Sequence, residues 1–143
     1  MRIRKLNLSD CHKVWRLARE YIVGMYDKTG FEVDEGKLKF GMVQYQNWTY
    51  GLETDEGELV GVLAGDVIPI TLTGEPMWSE ALFYVDKKYA RYVKRFVTDV
   101  QKDLKSHGVR FMTLALASNY KGLRHLYKRF KFKFLNAHYI SKL

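Results

Sequence analysis

The feature that most constrains the fold is a long amphipathic helix between two strand-like segments. Residues 88–106 carry apolar side chains three and four positions apart, and Gly108 ends the pattern. The apolar positions are Tyr89, Tyr92, Val93, Phe96, Val97, Val100 and Leu104. Residues 77–85 and 109–117 have the composition of strands. Because a strand–helix–strand connection is right-handed and joins parallel strands, the sequence predicts one parallel pair here.

The segments around this unit predict an antiparallel meander. Strands are predicted at 2–8, 48–53, 59–68, 77–85, 109–117 and 134–140, and helices after a cap at Ser9 or Asp10, at 34–45, at 88–106 and at 119–130. The acidic turn that ends in Gly57 is typical of a hairpin. Residues 1–143 are therefore predicted to form a single α/β (α+β) domain. Its mixed, mostly antiparallel sheet has about six strands, flanked by about four helices.

Composition limits the compartment and the cofactors. The 143 residues suit one domain, and 47% of them are apolar, which is enough for a sizeable core. Cys11 is the only cysteine, so no internal disulfide is expected and a cytoplasmic location is the default. No membrane association is expected, since no apolar run approaches the ~20 residues that span a bilayer. No Cys, His or Asp cluster has metal-ligand spacing, so no metal site is predicted.

The net charge of +8 is concentrated in the second half of the chain. Between Lys87 and Lys133 the only acids are Asp99 and Asp103. A field of this sign attracts phosphate, whether on nucleic acid, an anionic membrane or a phosphorylated cofactor. The alternative is a solvated basic surface that keeps the protein soluble.

Basic residues crowd the strand-to-helix turn that follows residue 85. These are Lys87, Lys88, Arg91, Lys94 and Arg95. A helix N-terminus carries about half a positive charge, so cations there are unfavourable by a few tenths of a kcal/mol each unless an anion compensates them. The pattern favours an anion site, with solvated side chains as the alternative.

The carboxyl-terminal segment carries the most specific pattern in the chain. Residues 118–132 read SNYKGLRHLYKRFKF. This run resembles the Asn, small residue, Leu-Tyr, basic pair and Gly-Phe run of the GNAT superfamily of N-acetyltransferases, with one extra residue between the Asn and the Tyr. The order of strands and helices is similar to that of the family over essentially the whole chain.

The turn after residue 85 lies where that family has its phosphate-binding loop. Val85, Tyr89 and, one place late, Arg91 fit the family pattern, but Arg91, Val93 and Arg95 stand where the family has Gly or Ala. Lys131 likewise replaces the Gly that ends the last helix. Either basic side chains substitute for close backbone contacts, or the phosphate site has decayed.

The resemblance implies an enzyme that transfers an acetyl group from acetyl-CoA directly to a primary amine. The amine would belong to a small molecule, a protein lysine or an amino terminus. The implied cofactor-binding residues are Leu82, Phe83, Val85, Lys88, Arg91, Tyr92, Val93, Lys94, Arg95, Asn119 and Arg124, of which the first three would pair their backbone with the pantetheine arm. Tyr127 would be the general acid at the departing sulfur, and Glu80 is the candidate base for the amine.

Each of these roles has a structural alternative. Tyr127 lies on an apolar stripe and suits a core position, Asn119 suits a helix cap, and Glu80 suits a solvent-facing strand position. The acceptor pocket is predicted between the first two helices and the loop 70–76, lined by Trp48, Tyr50 and Trp78. The competing function is a non-catalytic module that binds nucleic acid or a protein partner through its basic face. A homodimer is an open alternative.

Overall fold

Five strands form one sheet in the computed structural model, which describes residues 1–27, 29–115, 127–129 and 131–133. They are β1 (Arg2–Lys5), β2 (Thr49–Glu53), β3 (Leu59–Pro69), β4 (Pro76–Val85) and β5 (Phe111–Thr113), in that spatial order. β1 to β4 pair antiparallel, and β5 pairs parallel to β4. The predicted mixed, mostly antiparallel sheet is thus confirmed. The predicted strand 134–140 lies outside the described residues.

Helices cover both faces of this sheet. They are α1 (Cys11–Asp27), α2 (Glu35–Tyr45) and α3 (Val93–Ser106), and residues 127–129 are helical as well. α1 and α2 pack on one face, where Val14, Ala18 and Met42 meet Val62 and Leu82 in one core cluster. The remainder of the predicted helix 119–130 lies outside the described residues. No helix in the described ranges is long and apolar enough to cross a bilayer.

α3 packs on the other face over a second core cluster. Phe96, Val100 and Leu104 project from it onto Leu63 and Trp78, and all five side chains are buried. The three- and four-residue spacing therefore predicted the buried face of α3 correctly. The two clusters together make a layer of helices on each side of the sheet.

The start of α1 differs from the prediction. Asn7, and not Ser9 or Asp10, is the capping residue of a 3₁₀ turn, Leu8–Asp10, that leads into the helix. The Asn7 side chain accepts a hydrogen bond from the Ser9 N–H at 2.9 Å, and the Asp10 carboxylate accepts one from the Asn7 N–H at 3.0 Å. This reciprocal arrangement is a capping box, in which two otherwise free backbone donors are satisfied.

The start of the crossover helix also differs. Residues 88–106 were predicted as one helix, but Lys87–Tyr92 form a 3₁₀ helix and the α-helix begins at Val93. Residues three apart in a 3₁₀ helix lie directly over one another, so Tyr89 and Tyr92 keep the same side in either geometry. For that reason the apolar spacing could not distinguish the two helix types.

A buried ion network ties β1 to β2 and to the capping turn. Glu53 is 1% exposed and accepts hydrogen bonds from the Nε atoms of Arg2 and Arg4, each at 2.9 Å. The Arg4 guanidinium also donates to both carboxylate oxygens of Asp10, at 2.8 and 2.7 Å. The pKa values of Glu53 and Asp10 lie below their ordinary values, chiefly because of these hydrogen bonds from Arg4.

Candidate active site

β4 and β5 pair over a short distance, and the pairing ends before β4 does. Their register matches Met77 with Phe111, Trp78 with Met112 and Ser79 with Thr113. β4 continues to Val85 and stays paired with β3 on its other edge. In the described part of the chain no strand pairs with the β5-facing edge of β4 beyond Ser79. Backbone hydrogen-bonding groups of β4 therefore lie along this edge without a strand partner, and we call the space beside it the gap.

A β-bulge lies in β4 at the head of this gap. Ala64 is opposite Leu82 and Gly65 is opposite Glu80, so Ala81 is an extra residue in β4. Gly65 is required there, since a Cβ atom at this position would lie 2.3 Å from the Ser79 carbonyl oxygen. A bulge bends its strand and redirects the neighbouring side chains, and here the neighbour is Glu80.

The two candidate catalytic residues converge on the backbone of one residue, Ala115. The Glu80 carboxylate accepts a hydrogen bond from the Ala115 N–H. The Tyr127 hydroxyl donates a hydrogen bond to the Ala115 carbonyl oxygen at 2.7 Å. Ala115 lies two residues beyond the end of β5. Glu80 and Tyr127, far apart in sequence, therefore flank the point just beyond the end of the pairing between β4 and β5.

Burial shifts the proton affinities of both side chains in the same direction. Loss of solvation raises the pKa of Glu80 to about 7, although the hydrogen bond from Ala115 opposes the shift. Burial, followed by the charges of Glu80 and Tyr21, raises the pKa of Tyr127 above its ordinary value. At neutral pH, Glu80 can exchange a proton readily and Tyr127 remains a proton donor.

Tyr127 is held in place by the end of its helix. Lys131 has a left-handed φ of 62°, its N–H donates to the Lys128 carbonyl, and the Phe132 N–H donates to the Tyr127 carbonyl, both at 3.0 Å. The Phe132 ring packs against the Tyr127 ring with centroids 5.7 Å apart. This is a Schellman motif with its apolar contact, formed here with a lysine where glycine is usual. The buried position of Tyr127 fits both a core residue and a catalytic one.

The three strand residues expected along the pantetheine arm have their side chains in the two cores. Leu82 packs on the α1 side, and Phe83 and Val85 pack on the α3 side. Their side chains are therefore engaged within the protein. Pairing of their backbone with the pantetheine arm stays a prediction.

The 3₁₀ helix after β4 is capped by an acid of its own. The Asp86 carboxylate accepts a hydrogen bond from the Lys88 N–H at 2.9 Å, so this backbone donor is already used. No side chain caps the following helix, α3. The exposed cofactor-binding candidates here are Lys88, Arg91, Lys94 and Arg95. Positive charge thus surrounds the first turn of α3, and it comes from side chains.

Two of these cations have partners nearby. The Arg91 guanidinium donates to the Tyr92 hydroxyl at 3.1 Å and lies 4.9 Å from its ring centre, while Arg95 Nε lies 3.5 Å from Asp99. Tyr92 and Val93 are half-buried beneath them. The other two cofactor-binding candidates, Asn119 and Arg124, lie outside the described residues.

The predicted acceptor-lining residues were wrong. Trp48, Tyr50 and Trp78 lie on the α3 side of the sheet, whereas α1 and α2 cover the opposite face. Trp78 is fully buried and donates its Nε1–H to the Trp48 carbonyl at 3.3 Å, and the buried Tyr50 donates its hydroxyl hydrogen to Asp103 at 2.8 Å. These aromatic residues are core and cannot line a pocket on the α1 side.

Sequence reasoning missed Ala115 and Ala81. Both act through the backbone, and an alanine side chain carries no chemical signal of that role. Cys11 is buried and burial raises the pKa of its thiol, so it is not an activated nucleophile. No group of three His, Cys, Asp or Glu residues in the described ranges could hold a metal ion.

Solved structures show which fold this is. No protein-family model and no curated protein matches the sequence. A ribosomal-protein-alanine N-acetyltransferase from Brucella melitensis biovar Abortus 2308 superposes with a TM-score of 0.77 at 17% identity, over 99% of this chain and 98% of that one. An aminoglycoside acetyltransferase from an uncultured soil metagenomic sample gives a TM-score of 0.73 at 15% identity, over 99% and 95%.

A third example is glucosamine-6-phosphate N-acetyltransferase from Arabidopsis thaliana, with a TM-score of 0.69 at 18% identity, over 99% of this chain and 97% of that one. All three cover nearly the whole chain, and all three are named as acetyltransferases. The mixed sheet, the parallel pairing of β4 with β5 and these superpositions agree with one another. The chain has the GNAT N-acetyltransferase fold.

Proposed function

We propose that this chain is an N-acetyltransferase that moves an acetyl group from acetyl-CoA to a primary amine by direct attack. The observation that carries the proposal is the convergence of Glu80 and Tyr127 on Ala115, just beyond the end of the pairing between β4 and β5. It places a group with a near-neutral pKa beside one that stays protonated. Direct transfer to an amine needs one group of each kind.

The described residues fit acetyl-CoA at two places. The unpaired edge of β4 beyond Ser79 offers backbone donors and acceptors to an amide-containing arm, and the exposed cations of the basic turn can neutralise phosphate. Lys88, Arg91, Lys94 and Arg95 would hold the pyrophosphate through side chains, in place of the glycine backbone that this turn lacks. When bound, acetyl-CoA supplies an acyl group activated as a thioester.

Glu80 accepts a proton from the incoming amine, whose nitrogen forms the new bond to the acyl carbon. The carbon–sulfur bond then breaks, and Tyr127 supplies a proton from its Oη atom to the sulfur. One proton leaves the amine and one reaches the sulfur in each turnover. Glu80 and Tyr127 recover their starting states when a proton passes from one to the other.

The structurally similar acetyltransferases do not identify the class of amine that this chain would acetylate. The three similar enzymes are named for acetylation of a ribosomal-protein alanine, an aminoglycoside and glucosamine 6-phosphate. All are primary amines, but they share little else, so the fold alone does not select among them.

Thermal melting with acetyl-CoA tests the proposal. Ligand at 100 times its dissociation constant stabilises the folded state by about 2.7 kcal/mol, so the melting temperature should rise. With an amine panel built on those three acceptor types, release of free thiol should follow. Tyr127→Phe should keep the melting shift and lower kcat at least tenfold, whereas Tyr45→Phe on α2, a matched control, should change neither. Absence of a shift at millimolar acetyl-CoA contradicts the proposal.

A further inference from the structure

An open cleft lies on the α1 side of the sheet, beside the end of β4. It has a volume of about 360 Å³ and is lined by Arg16, Leu17, Arg19, Glu20 and Tyr84. Four of these residues come from α1, and Tyr84 comes from β4. The volume is in the range of sites that hold small molecules.

The charges in this cleft favour an anion. Arg16 and Arg19 are one helical turn apart, so they lie on the same side of α1, and both are exposed. Among the described residues neither arginine forms an ion pair or hydrogen bond, although Glu20 is close in sequence. Two guanidinium groups against one carboxylate in a concave site suit a phosphate or carboxylate, which arginine binds with two parallel hydrogen bonds.

The cleft is connected to the candidate active site through Tyr21 and Tyr84. Their rings lie 5.4 Å apart, and Tyr84 forms part of the cleft lining. The charge of Tyr21 is also among the causes that raise the pKa of Tyr127. Across the bulge, Glu80 is opposite Gly65 and Tyr84 is opposite Val62, three residues apart on β3, a distance of roughly 10 Å at about 3.3 Å per residue.

We infer that this cleft binds an anionic group of the acceptor, and that the acceptor is a primary amine with a phosphate or carboxylate on the order of 10 Å from its nitrogen. The inference rests on the proposed function and specifies its acceptor class. An α-amino acid acetylated at its own α-nitrogen does not fit, since its amine and carboxylate are only about 3 Å apart. The phosphates of acetyl-CoA are the other source of the same chemistry, and kinetics separate the two.

Kinetics with a matched pair of amines test the inference. Glucosamine 6-phosphate and glucosamine differ only in the anion. The unsubstituted enzyme should prefer the phosphorylated amine in kcat/KM at least tenfold. In Arg16→Gln/Arg19→Gln that preference should vanish while the KM for acetyl-CoA is unchanged. Lys37→Gln/Lys39→Gln on α2 removes the same charge away from the cleft and should keep the preference.

Two outcomes overturn the assignment. A preference that survives in Arg16→Gln/Arg19→Gln excludes the cleft as the anion site. A rise in the KM for acetyl-CoA in that variant, with the preference intact, assigns the arginines to the cofactor instead.

Inorganic phosphate separates this inference from the proposed function. Titration followed by arginine side-chain NMR should show saturable shifts at Arg16 and Arg19, without any need for turnover. Saturable binding in a protein that acetylates no amine contradicts the enzyme but leaves the anion site. Absence of saturable binding overturns the anion site, whatever the enzyme does.

Discussion

The carboxyl group of Glu80 occupies a position where ionisation is unfavourable. It is half-buried at the head of the gap between β4 and β5, and its pKa is raised from 4.5 to about 7 by loss of solvation. The folded protein therefore holds this proton more tightly than the unfolded chain does. Such a group contributes stability that is complete below pH 4.5 and is lost as the pH rises through about 7.

The first prediction at the residue scale concerns this linkage. Glu80→Gln cannot ionise, so its free energy of unfolding relative to the parent should rise between pH 5 and pH 8. We expect a gain of about 1–2 kcal/mol, less than a full conversion of the pKa shift because solvent reaches the carboxylate. Urea unfolding at both pH values measures it. Glu56→Gln, in an exposed turn, is the control for loss of a carboxylate; a pH response of Glu80→Gln no larger than that of Glu56→Gln contradicts the burial argument.

The candidate residues Glu80 and Tyr127 could be named from the sequence because each carries a chemical group that the reaction needs. Their common partner Ala115 could not be named. Its role lies in backbone atoms, and the hydrogen bonds it forms depend on where the pairing of β4 with β5 ends. The prediction that Trp48, Tyr50 and Trp78 line the acceptor pocket failed for a related reason. A sequence does not show which face of a central strand packs against which helix.

At the scale of elements, the pairing of β3 with β4 sets the position of Glu80 in the candidate active site. Gly65 of β3 lies against the Ser79 carbonyl and the Trp78 ring of β4. The extra residue Ala81 was not predictable, because a bulge is a property of the register between two strands and not of either sequence. The order of strands and helices was predictable, since periodicity and turn residues are local signals.

Gly65→Ala tests this pairing. The new methyl group would lie 2.3 Å from a backbone oxygen, so β3 and β4 must separate locally. We expect the free energy of unfolding to fall by at least about 2 kcal/mol, and binding of acetyl-CoA to weaken with it. The control is Gly41→Ala in α2, where nothing lies within 4 Å of the new atom. That variant should be more stable by about 0.5–1 kcal/mol, and equal effects at the two positions contradict the steric argument.

At the scale of the whole molecule, charge is divided between two places. The second half carries an exposed positive surface, while Arg2, Arg4, Asp10 and Glu53 form an ion network against the core at the opposite edge of the sheet. The exposed cations contribute little to stability. The network contributes more, because Glu53 is buried and its hydrogen bonds from Arg2 and Arg4 are charge-assisted.

Glu53→Gln tests the network. Arg4 would lose one of its two carboxylate partners and keep Asp10, so the free energy of unfolding should fall by about 1.5–3 kcal/mol at pH 7. The stability advantage of the parent over Glu53→Gln should disappear as the pH falls through the lowered pKa of Glu53. Protonation of Glu53 in the parent then removes the same charge that the substitution removes. Denaturant unfolding from pH 7 to pH 3 measures both effects. Asp99→Asn, which removes two surface ion pairs on α3, should cost less than about 1 kcal/mol; a similar loss in both variants contradicts the argument.

The β5-facing edge of β4 beyond Ser79 also bears on self-association, since in the described part of the chain no strand pairs with it. A strand edge without a partner can pair with another copy of the same chain, and sheet proteins discourage this with bulges and with charged side chains directed along the edge. β4 carries a bulge at Ala81 and a carboxylate at Glu80 where its pairing with β5 ends. Two features of the candidate active site therefore also disfavour edge-to-edge pairing between copies.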